Sequence, residues 1–187
     1  MDVMEKVEKT EPVIRDFLIW LWFKSETNDG IIDLGDDGHA EIRFSGKITL
    51  ETDADEPKES VTCSGDHPRL KEARFALTEN KKVTKAAMTL ILGDDEYAFS
   101  LDSQWMNYSS FRAPKVVQDD HDDPDGLFYE KIGLMERAVT TMDKVYMAFI
   151  HLRISDKWDK EELPALKKWV QRGGRNQGSK GVDQGSE

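Results

Sequence analysis

Apolar positions in this chain cluster rather than scatter, and the spacing within each cluster predicts an element. The densest run is Phe17–Phe23, seven apolar residues on end. Thr10-Glu11-Pro12 precedes it with the composition of a helix start: a hydroxyl to cap, an acid in the first turn, and a proline where a missing N–H costs nothing. A helix is predicted from about Pro12 to Glu26. Ile14, Phe17, Leu18, Leu21 and Trp22 take one face, while Val13, Ile19, Trp20 and Phe23 take the other. A helix apolar nearly all round needs cover on more than one side.

Beyond Asn28-Asp29-Gly30 the period changes to alternation. Ile31–Gly35, Ala40–Phe44 and Lys47–Glu51 read as strands, punctuated by turn signals at Asp36-Asp37-Gly38 and Ser45-Gly46. Ser60–Cys63 is a further short strand. Asp66 caps a helix predicted from about Pro68 to Glu79, with Leu70, Ala73, Ala76 and Leu77 on its apolar face. Lys82–Leu92 and Glu96–Leu101 read as an antiparallel pair joined at Gly93-Asp94-Asp95, and Gln104–Pro114 as a strand running into a loop.

A long helix is predicted from about Asp125 to Ile154. Met135, Ala138, Met142, Val145, Phe149 and Leu152 recur in it at the spacing of a helix seam. That seam covers fewer than three heptads, which points to packing within the domain. Ser155-Asp156 and Asp159 precede a last short helix through Leu163, Leu166, Trp169 and Val170. The order of elements predicts an α+β fold: an antiparallel sheet packed with an apolar N-terminal helix, a middle helix and a long C-terminal helix. Residues 1–10 are expected to be a flexible N-terminus, 11–172 a single domain, and the Gly-, Ser- and Gln-rich stretch 173–187 a disordered tail.

Composition narrows the function classes. The chain has 187 residues, with 26 Lys and Arg against 37 Asp and Glu, a net charge of −11. Such a balance disfavours nonspecific nucleic-acid binding by the surface as a whole. Cys63 is the one cysteine, so an intramolecular disulfide is impossible and a cysteine-based zinc site is not expected. Met1–Glu11 mixes charges, and no apolar run approaches the ~20 residues that span a bilayer. The expectation is a cytoplasmic protein with no membrane partner.

Motifs for catalysis are missing. His39, His67, His121 and His151 fall in separate predicted elements, with no i, i+4 pair. The acidic run Asp119–Gly126 fails the register of a calcium loop: with Gly126 at the sharp turn, His121 stands at the first-acid position and Ile132 at the bidentate one. There is no phosphate-binding glycine loop and no G-x-S-x-G elbow. The chain is therefore read as a non-enzyme with no metal and no cofactor.

One segment reverses the overall charge. Arg69, Lys71, Arg74, Lys81, Lys82 and Lys85 face only Glu72 and Glu79 in sequence, a local balance of +4. Such a patch suits a phosphate backbone, which positions a protein without reading sequence; an ordinary solvated helix face is the competing reading. Trp20, Trp22 and Phe23 sit inside a continuous apolar run, which points to burial in a core or an interface rather than to stacking on bases.

Three stretches resemble the recombination-associated RdgC-like family, in its C-terminal half and its divergent bacterial branch. They are Phe17–Glu26, then Glu72–Leu77 leading into Asn80–Ala86, and more weakly Phe111-Arg112-Ala113-Pro114-Lys115. The resemblance implies a nucleoid-associated α+β protein that binds double-stranded DNA without sequence preference, as a homodimer, in contact with recombination proteins. It would set Lys81, Lys82 and Lys85 toward DNA with Arg74 and Lys71 in support. Six neutralised phosphates would give a slope of about −5 for log affinity against log salt. The alternative is a protein-interaction or homodimerisation module that keeps the fold without binding DNA.

Overall fold

The computed structural model describes residues 10–52, 59–65, 70–116 and 123–175. The first helix is α1 (Thr10–Thr27), starting two residues before the predicted Pro12. Its end is defined by hydrogen bonds: Asn28 N–H and Gly30 N–H both donate to the Lys24 carbonyl, at 3.0 and 3.1 Å. Gly30 is required here. Its φ is +75°, and an added Cβ would lie 2.1 Å from the Ile42 carbonyl oxygen. The chain thus turns directly from helix into sheet.

The strands are β1 (Ile31–Asp33), β2 (His39–Glu51), β3 (Ser60–Ser64), β4 (Lys82–Leu92), β5 (Asp95–Asp102) and β6 (Asn107–Arg112). Among the described residues they form one antiparallel sheet of six strands in the order β1-β2-β4-β5-β6, with β3 also pairing with β2. β2 corrects the reading of two strands with a turn at Ser45-Gly46. It is continuous over 13 residues, and the Ser45–Lys47 stretch is a bulge between the pairs Phe44↔Met88 and Ile48↔Ala86. Gly46, at φ +82°, supplies the backbone kink, and β4 continues beneath it to hold the ladder together.

Registration puts one parity of each strand on a common face. Ile42–Leu90–Tyr97, Phe44–Met88–Phe99 and Ile48–Ala86–Leu101 are cross-strand rows, and all nine side chains are buried. The other parity is polar or small apart from Ile91, with rows Glu41–Ile91–Glu96, Arg43–Thr89–Ala98 and Thr49–Lys85–Asp102. The described helices pack on the apolar face. They are α1, α2 (Leu70–Thr78), α3 (Pro124–Arg153) and α4 (Leu163–Arg175), with a π-type turn at Trp158–Glu162 leading into the last. The fold is α+β, two layers deep, with one sheet face left without a helix among the described residues. α4 runs through Arg175, beyond the boundary expected at 172, and the expected flexible N-terminus and tail lie almost wholly outside the described residues. No described helix is long and apolar enough to cross a membrane.

Burial of the apolar run drives the helix layer. Phe17, Leu18, Leu21 and Trp22 are fully buried, and Trp20 and Phe23 are 3% and 5% exposed. Phe17 packs edge-on to Tyr146 (5.0 Å between centroids) and tilted against Phe149 (5.4 Å), and Trp22 meets Trp169 edge-on at 5.1 Å. α1 is therefore sandwiched between the sheet, α3 and α4, which explains why it is apolar on nearly every side.

Candidate functional site

Of the six cations singled out by charge, the four whose side chains are described, Arg74, Lys81, Lys82 and Lys85, do not share one open surface. Arg69 lies outside the described residues, and of Lys71 only the backbone is described, within α2. Arg74 is committed inside the protein. Its Nη1 donates to Glu26 Oε2 at 3.0 Å, its Nη2 to the Trp169 carbonyl at 2.8 Å, and its guanidinium stacks 4.7 Å from the Trp169 ring centroid. Lys81 is 11% exposed and pairs with Glu59 at 2.9 Å. Lys82 is half-buried at the start of β4. Lys85 is exposed on the polar sheet face, in a row with Thr49 and Asp102. It borders a cleft of about 240 Å³ where Arg15 and Lys85 are matched by Glu51 and Asp102, so the charges there cancel.

For the aromatic residues read as buried in a core or an interface, the core is the outcome, and the interface role set for Trp20, Trp22 and Phe23 is corrected. Trp20, Trp22 and Phe23 are buried in this chain's own core, where α3, α4 and the sheet pack against α1. Their polar edges are also satisfied internally. Trp20 Nε1 donates to Glu162 Oε1 at 2.8 Å, and Trp22 Nε1 donates to Glu26 Oε1 at 2.7 Å.

Reactive groups are shielded. Cys63 is buried, and burial followed by the nearby Glu72 charge pushes its thiol up, which keeps it protonated and a poor nucleophile. Burial likewise raises Tyr97, Tyr108 and Tyr146, with Tyr108 pushed up to about 12 by burial and by Asp143. No three His, Cys, Asp or Glu side chains among the described residues are placed to hold a metal ion.

The exposed chemistry lies instead on α3. Asp123 caps this helix by accepting from Asp125 N–H at 3.3 Å. From Asp125 to Arg137 no side chain is buried, and the first fully buried residue is Ala138. Those 13 residues make a rod about 20 Å long at 1.5 Å per residue. Arg137 pairs with Asp95 at 2.5 Å, at the β4–β5 turn, which marks where the helix passes the end of the sheet. The overhang carries Phe128, Tyr129, Ile132 and Met135 at 60, 70, 43 and 44% exposure.

These residues belong to a longer stripe. Phe128, Ile132, Met135, Val139, Met142, Tyr146 and Phe149 follow one another in steps of four and three, the spacing of a single helix-packing seam. α1 covers its second half through Phe17 and Trp20. The first half has no cover among the described residues. The sequence reading began the seam at Met135 and assigned it to the interior. Met142 and Phe149 are indeed fully buried there, but Met135 is open, and Phe128 and Ile132 extend the same spacing N-terminally. That spacing is the signal that was available and not followed far enough.

The fold and this surface define a class: a two-layer α+β domain with a projecting amphipathic helix. Compared with known proteins, the chain matches no family model and no curated relative.

Proposed function

We propose that this chain works by binding rather than by catalysis, as a protein-interaction module whose contact surface is the overhanging half of α3 and whose ligand is an apolar helix face. The observation that carries the reading is the divided stripe. One seam of uniform spacing is packed against α1 at Tyr146 and Phe149 and, among the described residues, left open from Phe128 to Met135. A surface built to the same pattern as a covered helix contact takes the same kind of partner. Exposed apolar patches of this kind mark interaction sites in folded proteins.

The test is a photo-crosslinking amino acid placed at Ile132 of the full chain in cell extract, with Lys157, also exposed, as the control position. Covalent adducts with a polypeptide are expected at 132 and not at 157. Equal yields at the two positions overturn the reading.

A second reading, association with duplex DNA, has Lys85 as its support, together with Arg43 and Arg112, which are exposed on the same uncovered sheet face. The resemblance to RdgC-like proteins favours it too. Three phosphate contacts give an expected log–log salt slope of about −2.7. Lys85→Glu is expected to abolish binding of a random-sequence duplex measured by anisotropy at low salt. Absence of binding by the unaltered chain at low salt rejects this reading.

A further inference from the structure

We propose that the cleft beside Lys85 is a binding site for a small hydrophilic α-amino acid, held by both of its charged groups. The site is separate from the α3 stripe and does not depend on it.

The backbone builds the cleft at a bulge. Thr49 of β2 pairs with Lys85 of β4, and the next β2 residue, Leu50, pairs with Val83, so Thr84 is an extra residue in the β4 ladder. The Thr84 hydroxyl donates to the Thr49 carbonyl at 3.4 Å, and its own carbonyl accepts from Ser103 N–H at 2.7 Å, just past the end of β5. Bulges re-aim side chains and are common beside functional sites. Here Thr84 and Lys85, neighbours in sequence, both line one cleft, where a regular strand would send them to opposite faces. Arg15 of α1 borders the same cleft.

The lining selects the ligand. The eight described residues that line the cleft are all polar. At about 240 Å³ it is smaller than the ~300–1,000 Å³ of sites for drug-sized molecules, so its occupant is small and hydrophilic. Among the described residues Arg15 and Lys85 balance Glu51 and Asp102, a lining that favours neither a simple anion nor a simple cation. Lys85 stands directly opposite Asp102 across the β4–β5 ladder, within reach of an ion pair. Yet neither Lys85 nor Glu51 has an ion pair or a side-chain hydrogen bond among the described residues. Opposite charges are thus held near one another without being joined. A zwitterion bridges them, its ammonium on Glu51 and Asp102 and its carboxylate on Lys85 and Arg15. An uncharged polyol answers neither sign. Asp102 is fixed for this role, because its Oδ1 accepts from Gln104 N–H at 2.8 Å. Ser103 adds a donor: it is 2% exposed, and its hydroxyl has no hydrogen bond to a described residue. A buried hydroxyl calls for a partner, and the ligand carboxylate supplies an acceptor.

The experiment is isothermal titration calorimetry of the purified full chain with each of the standard α-amino acids. Saturable binding of glycine, serine or another small hydrophilic member is expected, with a Kd on the order of 0.1 mM. For the amino acid bound best, the amine lacking its carboxylate and the hydroxy acid lacking its ammonium are each expected to bind at least about tenfold more weakly. Lys85→Met and Asp102→Asn are expected to weaken binding by a similar factor with unchanged thermal midpoints, since Lys85 is exposed and Asn at 102 keeps the oxygen that accepts from Gln104. The two analogues need no variant, so the proposal stays testable if either substitution disturbs the fold. No binding of any amino acid at up to about 10 mM overturns it. So does tightest binding of a large apolar amino acid, or a hydroxy acid that binds as well as its amino acid, which marks a plain anion site. Undiminished binding by both variants places the ligand elsewhere and overturns it too.

Discussion

Glu26 holds three donors brought by three helices. Trp22 of α1 donates to one carboxylate oxygen, and Arg74 of α2 and Trp169 of α4 donate to the other, at 2.7, 3.0 and 3.0 Å. The Arg74 and Glu26 side chains are 16% and 14% exposed, so water competes little for either. Glu26→Ala would leave the guanidinium and two indole N–H groups short of an acceptor. The expected cost is about 3 kcal/mol, read as a fall of about 6–12 °C in the thermal midpoint. A loss under about 0.5 kcal/mol would mean the carboxylate is not the tie among the helices. Arg74 shows where reading residue types stops. Its charge was visible in the sequence, but the partners that consume it lie 48 and 95 positions away.

At the scale of elements, periodicity was legible wherever one face is buried. β4, β5 and α3 fall within a residue or two of the spans that alternation and helical spacing predict. β2 did not, because Ser45-Gly46 has the same composition whether it reverses the chain or bulges within a strand. The deciding fact is the continued pairing with β4, which is nonlocal. β6 was blurred for a different reason: Ser109 and Ser110 dilute its alternation, and Ser110 takes φ +54°. For α3 the stripe itself was legible from composition, but not the point along it where cover ends. That point depends on the length of the sheet and the crossing of α1.

The molecule as a whole stores part of its stability in buried phenols of the sheet and of helix α3. Tyr97, Tyr108 and Tyr146 all have their ionisation pushed up by burial, Tyr108 from 10.0 to about 12. The folded state thus keeps a proton that the unfolded chain releases near pH 10. Stability from this source is complete below about pH 10 and falls as pH rises toward 12. Urea unfolding between pH 9 and 12 is expected to show that decline, and Tyr108→Phe to make it shallower. Equal slopes for the two proteins would rule out Tyr108 as a contributor.

By itself the sequence determined the class of fold and the apolar face of each major element, because period and residue type are local properties. Only tertiary structure decided which charges stay available and which apolar stripe stays open. Folding brings Glu26 to Arg74 and Trp169, closes the tryptophans of α1 into the core, and carries half of α3 past the end of the sheet. A side chain's spacing states which way it faces; what stands opposite it is set by residues far along the chain.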